Sequence, residues 1–163
     1  MTYSVRNAEK EDLERVEEIY AYARRFMAEN GNPNQWGNHN PPHDQLVQDI
    51  EDRLLYVLED PTGIHGVFYF YIGADPTYAE IFDGAWGSSS EYGTIHRIAG
   101  DGSGGILGAA VNFVSRMIGH LRIDTHHDNH IMQKAVEKQG FRRRGIIYIE
   151  DGSPRIAYDR ICE

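Results

Sequence analysis

Five glycines fall within one short stretch, at positions 100, 102, 104, 105 and 108. The residues before them, 94–99, have the composition of a β-strand, and residues 106–119 repeat apolar side chains at helical spacing. Glycine leaves backbone N–H groups uncovered, and the first turn of a helix presents unpaired N–H groups to anions. A strand, a glycine loop and a helix in this order therefore predict a phosphate-binding site, with a flexible surface loop as the competing interpretation.

Two common phosphate-binding loops can be compared with this stretch. A nucleoside triphosphatase loop needs a lysine before a Ser or Thr at its end, and the stretch contains none. A dinucleotide fingerprint is formally satisfied by glycines 100, 102 and 105, with Asp124 about where a ribose-binding acid would lie. The strand carries His96 and Arg97, however, where a doubly wound sheet requires apolar residues, and a hairpin follows later in the chain. An NAD(P)-dependent oxidoreductase is therefore the weaker interpretation.

Seven strands and four helices are predicted in the order β-α-α-β-β-β-α-β-α-β-β. This order combines antiparallel hairpins with one parallel β-α-β crossover, which indicates a single α/β (α+β) domain over residues 1–163. The strands are expected at 2–6, 54–58, 64–72, 94–99, 121–125, 142–150 and 155–161, with a short turn or strand at 79–82. The first helix is expected to follow an N-cap at Asn7 and to end at about residue 27. The second and third helices are expected at 43–53 and 106–119. The fourth is expected to follow an N-cap at Asp128 or Asn129 and to run to residue 139, where Gly140 ends it.

The 163-residue chain is acidic, with 16 Lys and Arg against 25 Asp and Glu and a net charge of −9. Such a charge repels nucleic-acid backbones and anionic membranes and attracts cationic substrates such as amines. Cys162 is the single cysteine, so neither an intramolecular disulfide nor a Cys-based zinc site can form. Because the chain has neither a signal-peptide pattern nor a run of about 18 apolar residues, we expect a cytoplasmic protein without nucleic-acid or membrane partners.

The segments around the glycines resemble those of the GNAT acetyltransferases, and the resemblance covers nearly the whole chain. In that family a strand, a glycine-bearing loop and a helix N-terminus hold the pyrophosphate of coenzyme A, and the next strand, a capping Asn and a helix ending in Gly-Phe complete the cofactor side. The corresponding parts here are 95–99, 100–108, 121–125, Asn129 and Gly140-Phe141. The resemblance implies a mixed, mostly antiparallel central sheet of about seven strands with helices on both faces, and acetyl-CoA as co-substrate without a metal. The cofactor-binding residues that it implies are Arg97, Ile98, Ala99, Gly100, Gly102, Ser103, Gly104, Gly105, Ile106 and Asn129.

Two features depart from the family pattern. Many members carry a tyrosine four residues before the Gly of Gly-Phe as the acid for the leaving thiolate, and this chain has Val136. A loop register ending at Gly105-Ile106-Leu107 places a leucine where a small residue is expected, whereas a register starting at Arg97 begins inside the strand. The loop amides that contact the pyrophosphate are therefore left open, and a non-catalytic acyl-CoA sensor on the same fold is an alternative to an enzyme.

Acetyl transfer to an amine requires a group that accepts the amine proton and a donor to the thioester oxygen. The resembled fold places the thioester beside residues 96–99, so His96 is the candidate general base, with a structural histidine as the competing interpretation. Asp124 is a candidate for orienting a proton relay, and Tyr148 for replacing the missing phenol. In the family, the loop between the first two helices lines the pocket for the acceptor, expected here to be a primary amine of a small molecule or peptide. The candidate substrate-binding residues are Asn34, Gln35 and Trp36.

Several polar residues follow the predicted strand 121–125. His126 and His130 lie four residues apart, a spacing by which a helix can bring two metal ligands to one face. No Cys or Glu nearby completes a usual triad, so a crowded polar loop without a metal is the favoured interpretation. The sequence leaves open a homodimer contact through surface Tyr and Trp side chains.

Overall fold

The computed structural model describes residues 2–162. Within them, seven strands form one sheet in the spatial order β1-β2-β3-β4-β5-β7-β6. Every neighbouring pair is antiparallel except β4 and β5, which run parallel. The strands are β1 (Ser4–Asn7), β2 (Leu55–Asp60), β3 (Gly63–Ile72), β4 (Gly93–Gly100), β5 (His120–Thr125), β6 (Arg142–Tyr148) and β7 (Pro154–Ile161).

Four α-helices of the described chain cover the two faces of the sheet: α1 (Leu13–Glu29), α2 (His43–Glu51), α3 (Ile106–Val114) and α4 (His130–Lys138). On one face, Ile19 of α1 and Leu46 of α2 pack with Val57 in a buried cluster. On the other face, residues of α3 and α4 pack with Leu58. Neighbouring strand residues thus point to opposite faces. The predicted fold class, including helices on both faces and one parallel crossover, is confirmed. Between residues 2 and 162, none of the helices has the length and apolar character needed to span a membrane.

Strand β4 contains a β-bulge in its middle. Val67 of β3 pairs with Ala99, whereas Tyr69 pairs with His96, so two residues of β4 oppose one residue of β3. Arg97 lies in the bulge with a φ of +51°, a conformation that is uncommon outside glycine. A bulge of this kind redirects the side chains that follow it.

Strands β4 and β5 separate after a short paired stretch. Their paired residues are Gly93 with Leu121 and Thr94 with Arg122, although β4 continues to Gly100 and β5 to Thr125. Beyond these pairs the two strands diverge and open a cleft in the sheet. Backbone groups along such an edge need partners, and an extended ligand that carries amides can provide them.

A hollow between β3 and β4 receives the first side chain of α3. Gly66 and Gly100 are cross-strand partners. A Cβ atom added to Gly66 would lie 2.7 Å from Cδ1 of Ile106, and one added to Gly100 would lie 2.9 Å from its Cγ1. The absence of side chains at both positions therefore lets Ile106 approach the sheet, which fixes the start of α3 and the end of the glycine loop.

Most element boundaries differ by one or two residues from the sequence predictions, and three differences have a local structural cause. Asn7 belongs to β1 and does not cap α1; a 3₁₀ turn at Lys10–Asp12 comes between them. Helix α3 ends at Val114 rather than at residue 119, because the Met117 amide bonds to the Val114 carbonyl three residues back, in a tighter turn. The short element expected at 79–82 is a 3₁₀ turn at Pro76–Tyr78, followed by an isolated bridge at Phe82.

Both predicted ends of α4, the N-cap at Asn129 and the C-terminal Gly140, are confirmed. The Asn129 side chain accepts a hydrogen bond from the Met132 amide, which satisfies one unpaired N–H of the first turn. Gly140 follows the helix with a φ of +89°, the left-handed conformation that glycine adopts at helix ends.

Candidate active site

A cavity of about 530 Å³ opens where β4 and β5 separate, beside α1 and α2. Its walls come from the end of α1, the loop that follows, the start of α2, the diverging halves of β4 and β5, and the start of β7. The structure thereby brings several of the sequence-predicted residues into one space. Those that line it are Gln35, Trp36, His96, Arg97, Ile98 and Asp124.

His96 is held by one carboxylate and faces another. Its Nε2 lies 2.7 Å from Oδ2 of Asp75, and its Nδ1 lies 4.0 Å from Oδ2 of Asp124. An ionised carboxylate only accepts hydrogen bonds, so Nε2 carries the proton that Asp75 accepts. In the neutral ring this leaves the lone pair on Nδ1, on the side of Asp124. His96 is therefore arranged as a proton acceptor.

Asp75 is fixed by the turn that it caps. Its Oδ1 accepts hydrogen bonds from the backbone N–H of Thr77 at 2.9 Å and from the Thr77 hydroxyl at 2.6 Å. Burial opposes ionisation, but the hydrogen bonds from His96 and Thr77 outweigh it and lower the pKa of Asp75 to about 2. Asp75 is therefore ionised at neutral pH and keeps the ring of His96 in one orientation.

Tyr78 connects the same turn to β5. Its hydroxyl donates a hydrogen bond of 2.6 Å to Oδ2 of Asp124, and its ring centroid lies 5.9 Å from that of His96. Burial and the adjacent Asp124 carboxylate raise the pKa of Tyr78 well above its usual value, so the phenol keeps its proton. Asp75, His96, Asp124 and Tyr78 form one cluster, which we call the His96 cluster.

The bulge residue Arg97 is held by three contacts. Its guanidinium forms an ion pair with Asp49 of α2 and lies 4.6 Å from the centroid of the Tyr69 ring. Its carbonyl accepts a hydrogen bond of 2.7 Å from the Tyr20 hydroxyl. These contacts stabilise the uncommon φ of Arg97 and fix the backbone of residues 97–99 beside the cleft. The Arg97 side chain is thus engaged by Asp49, and only its backbone is left for the cofactor role implied by the sequence.

Gln35 joins the loop after α1 to the start of α4. Its Oε1 accepts hydrogen bonds from Nδ2 of Asn32 at 2.8 Å and from Nδ2 of Asn129 at 3.0 Å. The carbonyl oxygen of the Asn129 side chain is used by the Met132 amide at 3.1 Å. Asn129, implied as a cofactor ligand, is therefore bonded within the protein at both ends of its side-chain amide.

Three predicted residues differ in their relation to the cavity. Trp36 lines it and also packs edge-on against Tyr20 with centroids 5.5 Å apart, so it is both a wall and an anchor of its loop. Asn34 is exposed and lies outside the lining. Tyr148 is 48% exposed and packs against Phe82, also outside the lining. The structure does not bring Asn34 or Tyr148 to the site.

The glycine loop is open to the solvent and its backbone direction is set by Tyr3. Gly102, Gly104 and Gly105 have φ values of +92°, +85° and +75°, and no atom lies within 4 Å of a Cβ added to Gly104. The Tyr3 hydroxyl donates a hydrogen bond of 2.6 Å to the Gly104 carbonyl. Because the C=O and the following N–H of a trans peptide point in opposite directions, the Gly105 N–H points away from Tyr3. Within residues 2–162 no side chain caps α3, so its first-turn N–H groups are available to an anion.

The loop carries one carboxylate, Asp101, which is bonded to neighbouring groups. Its Oδ2 lies 2.7 Å from both Nη2 of Arg15 and Nδ1 of His65. Its Oδ1 accepts hydrogen bonds from the Ser103 N–H at 3.0 Å and hydroxyl at 2.6 Å. The hydrogen bond to Asp101 raises the pKa of His65, which favours its cationic form. The negative charge of Asp101 is thus compensated next to the expected phosphate site, and Ser103 bonds to Asp101.

Arg155, at the start of β7, also lines the cavity. It is 5% exposed, and burial lowers its pKa. Its Nη1 donates to the Pro154 carbonyl at 2.8 Å, and its Nη2 donates to the Gln35 carbonyl at 3.4 Å. A buried cation therefore borders the same space as the His96 cluster.

Comparison with known proteins gives structural matches. No protein-family model matches the chain, and no curated protein matches its sequence. An acetyltransferase of the GNAT family from Streptococcus agalactiae 2603 has a TM-score of 0.88 at 24% identity, covering 99% of this chain and 96% of that chain. The chain has the GNAT fold. A GNAT acetyltransferase from Listeria monocytogenes 4b F2365 has a TM-score of 0.68 at 16% identity, covering 98% and 95%. The yncA protein of Salmonella typhimurium, solved with its cofactor acetyl-CoA, has a TM-score of 0.64 at 12% identity, covering 100% and 95%.

Within this GNAT fold, Val136 occupies a core position. It is fully buried on α4 and packs in the cluster that contains Phe141 and Tyr158. Its side chain has no proton to donate. The departure at Val136 therefore leaves this position of α4 without a phenol, whereas the phenol of Tyr78 lies on the opposite side of β5, in the His96 cluster.

The polar turn before α4 has its own internal bonding. His126, His127 and Asp128 lie close enough together to hold a metal ion. However, Nδ1 of His126 accepts a hydrogen bond of 3.0 Å from the Asp128 amide, and the two imidazoles stack with centroids 4.3 Å apart. Burial and the nearby Arg155 charge lower the pKa of His126. These contacts describe a compact turn, and the expectation of a metal-free site stays a prediction.

Sequence reasoning found part of the His96 cluster and missed the rest. His96 and Asp124 were identified because they lie in the two strands that flank the cofactor in the resembled family. Asp75 and Tyr78 lie in a segment without periodicity, where the Asp-Pro dipeptide indicates only a turn. Arg155 follows a turn and begins a strand, a position at which an arginine is usually solvated. No local pattern shows that these three residues reach the cavity.

Proposed function

We propose that the protein transfers the acetyl group of acetyl-CoA to a primary amine of a small molecule or peptide. The observation that carries this proposal is the hydrogen bond between His96 and Asp75 at the cavity where β4 and β5 separate. This bond leaves Nδ1 of His96 available to accept a proton. The GNAT fold, and the acetyl-CoA bound in one structure of the same fold, support the choice of cofactor.

The residues present fit acetyl-CoA. The uncapped N–H groups at residues 104–108 suit the pyrophosphate, because they lie in an open loop at the start of α3. The cleft between β4 and β5 suits the extended pantetheine arm, which would pair with the backbone of residues 96–99. When bound there, acetyl-CoA supplies an activated acetyl group as a thioester. Six of these residues, Arg97, Ile98, Ala99, Gly104, Gly105 and Ile106, belong to the set that the sequence resemblance implied, whereas the side chains of Ser103 and Asn129 from that set are bonded within the protein.

His96 removes a proton from the acceptor as the reaction proceeds. The amine nitrogen attacks the thioester carbonyl carbon, the C–N bond forms, the C–S bond breaks, and one amine proton moves to Nδ1 of His96. The carboxylates of Asp75 and Asp124 stabilise the resulting imidazolium by their charge. Tyr78 keeps Asp124 in position through its hydrogen bond.

The sulfur leaves without the usual tyrosine. A thiol has a pKa of about 8.5, so its thiolate is a weak base and a competent leaving group near neutral pH. Protonated His96 then returns its proton to the thiolate. The products are an amide and the free thiol, and His96 is ready for another cycle.

The acceptor must lose its charge before it attacks. A primary alkylamine resembles lysine, with a pKa of about 10.4, and arrives mainly as an ammonium ion. Asp124 and Glu150 line the cavity and attract such a cation, and Trp36 offers an aromatic face to it. His96, directly or through water, is placed to accept the proton that the ammonium loses first and to release it to the solvent before the neutral amine attacks.

A second candidate function is a non-catalytic acyl-CoA-binding module on the same fold. The observation that favours it is the buried valine at position 136, where no acid is available. The NAD(P)-dependent oxidoreductase considered from the sequence requires a parallel sheet beyond β5. Strand β5 pairs instead with the antiparallel β7, which is inconsistent with a doubly wound dinucleotide-binding sheet.

Calorimetric titration with acetyl-CoA, coenzyme A and NADH tests the cofactor, and thiol release with a panel of primary amines tests the reaction. The wild type is compared with His96→Gln and with the matched control His127→Gln, which changes an exposed histidine outside the cavity lining. We expect all three proteins to bind coenzyme A and only His96→Gln to lose turnover, by about 10²–10⁴-fold. Coenzyme A binding without turnover by the wild type would support the binding module. Binding of NADH alone would overturn the proposal.

A further inference from the structure

Arg155 is a cation buried beside the cavity without an anionic partner. The exposed fraction of Arg155 is only 5%. Among residues 2–162, no carboxylate oxygen lies within 4.0 Å of its guanidinium, whereas Arg6, Arg15, Arg97 and Arg144 each pair with a carboxylate. A guanidinium has five N–H donors, and that of Arg155 donates to the backbone carbonyls of Pro154 and Gln35. Several donors therefore remain for a ligand.

A buried charge without a counter-charge is costly, because the group loses its hydration and gains no ion pair. The other arginine of the cavity, Arg97, does not have this problem, since Asp49 forms an ion pair with it. Asp124 and Asp151 act on Arg155 only at longer range. An unpaired arginine in an open cavity is a common arrangement for binding a carboxylate or phosphate of a ligand, often through two parallel hydrogen bonds.

The cavity lining carries the carboxylates Asp124, Glu150 and Asp151 and the guanidinium groups of Arg97, which is paired with Asp49, and Arg155. Asp75 and Asp124 flank His96, where the amine must lose its proton. Arg155 borders the same cavity of about 530 Å³ from the start of β7. A molecule that carries an amine and a carboxylate would satisfy both the carboxylates beside His96 and Arg155 at once, whereas a simple alkylamine would leave Arg155 without a partner.

We propose that Arg155 binds a carboxylate of the acceptor, so that the acetylated amine belongs to an amino acid or to a molecule with an amino acid group. This inference rests on the proposed acetyl transfer and specifies its substrate class. A carboxylate could also come from the acyl group of the donor. The acceptor is favoured because Nη2 of Arg155 donates to the Gln35 carbonyl, on the loop that carries Trp36 and forms the acceptor wall.

The test compares matched substrates in matched variants. Each amino acid is paired with the amine that lacks its carboxylate, such as phenylalanine with phenethylamine and lysine with cadaverine. The enzymes are the wild type, Arg155→Gln, Arg155→Lys and the control Arg143→Gln, which changes an exposed arginine outside the cavity lining. The two amines of a pair differ in basicity. The ratio of wild-type to variant kcat/KM is therefore taken for each substrate, which cancels that difference.

We expect Arg155→Gln to lower kcat/KM for the amino acids by about tenfold to a hundredfold, the range for a hydrogen-bonded charge, mainly through KM. The paired amines should change little, and Arg155→Lys should restore part of the loss. A merely structural Arg155 would lower both members of each pair equally, which would overturn the inference. The inference would also be overturned if the wild type acetylated the paired amines as efficiently as the amino acids.

Two further measurements distinguish a failure of the inference about Arg155 from a failure of the proposed acetyl transfer. If Arg155→Gln selectively impairs transfer from succinyl-CoA to phenethylamine and leaves acetyl transfer to amino acids unchanged, the carboxylate belongs to the donor and the inference about the acceptor is wrong. If the wild type binds acetyl-CoA but acetylates no member of the panel, the proposed function fails together with the inference. Acetylation of amines with no effect of Arg155→Gln overturns only the inference.

Discussion

The hollow that receives Ile106 allows one prediction to be worked out from distances. The substitution Gly66→Ala places a Cβ atom 2.7 Å from Cδ1 and 2.8 Å from Cγ2 of Ile106. Favourable carbon–carbon contacts lie at about 3.5–4.0 Å, so either Ile106 or the start of α3 must move. Gly66 does not have a left-handed φ, so alanine suits its backbone and the expected cost is steric.

The magnitude follows from the cost of overpacking and of cavities. Gly66→Ala should destabilise the protein by about 1–3 kcal/mol, the usual range for an extra methyl group in a packed core. Ile106→Ala should cost about 2–4 kcal/mol by removing buried atoms. Alanine at position 106 also removes the atoms that clash with the new methyl group. The double variant should therefore cost less than the sum of the single variants, by about 0.5–3 kcal/mol.

The assay is urea and thermal unfolding of the wild type, both single variants and the double variant. In a chain of this size each kcal/mol corresponds to about 2–4 °C in Tm. The control is Gly108→Ala on the same helix, where the new Cβ meets only the flexible end of Gln139, and we expect its stability to be equal or higher. Wild-type stability of Gly66→Ala, or strict additivity of the two single changes, would refute a close-packed hollow. Calorimetry should also show weaker coenzyme A binding by Gly66→Ala, because the glycine loop moves with Ile106.

Predictions at three other residues concern the His96 cluster and the glycine loop. Asp75→Asn keeps an acceptor for the capped turn but removes the charge that orients His96, so turnover should fall about 10²–10⁴-fold with coenzyme A binding retained. Because the pKa of Asp75 is lowered from 3.8 to about 2, its contribution to stability is present above pH 3.8 and is lost as the pH falls towards 2; acid unfolding followed by circular dichroism should show this loss in the wild type only. Tyr78→Phe removes the donor to Asp124 and should cost about 1–3 kcal/mol in urea unfolding, with slower turnover. The pKa of His65 is raised above 6.5, so its contribution to the stability of the loop is complete below pH 6.5 and is lost as the pH rises through the raised value. Hydrogen exchange of the loop amides should then become faster than the intrinsic effect of pH on exchange explains. The substitution His65→Gln should abolish this additional acceleration.

Each of these predictions has a contrary outcome. Turnover of Asp75→Asn equal to that of the wild type would show that His96 does not need its carboxylate. A variant Tyr78→Phe with unchanged stability would mean that the hydrogen bond to Asp124 contributes nothing to folding. The same exchange rates for His65→Gln and the wild type across the pH range would show that the ion pairs around Asp101 do not restrain the loop.

Regular patterns in the sequence predicted most of the fold. Apolar spacing placed all four helices, and the order of elements indicated antiparallel hairpins around one parallel crossover. The errors occurred where a few local hydrogen bonds decide the structure. Asn7 has the chemistry of a helix cap, yet its backbone is used in the ladder with Tyr56. Val114 ends α3 because the following amides form a tighter turn, and the apolar residues beyond it continue the helical pattern without being helical.

Only those residues of the candidate site that lie in neighbouring strands were predictable from the sequence. His96 and Asp124 lie in adjacent strands, and a strand order is sufficient to bring them together. The partners Asp75 and Tyr78 come from an irregular segment whose path depends on the packing of Tyr78 against Trp86. Arg155 and Gln35 are 120 residues apart in the sequence, and a contact over such a distance depends on the folded chain as a whole.

The bulge at Arg97 also determines which changes of chain length β4 can accept. His96 and Gly100 are four residues apart, and in a regular strand they would face the same side of the sheet. In this protein His96 faces the cavity beside α1 and α2, whereas Gly100 faces Ile106 on the opposite side. One additional residue between them makes both orientations compatible. Deletion of a single residue from 97–99 would therefore remove the bulge and leave His96 and Gly100 on opposite sides of a regular strand. Insertion of one more residue would instead turn the proton acceptor and the start of the phosphate-binding loop to the same side of the sheet.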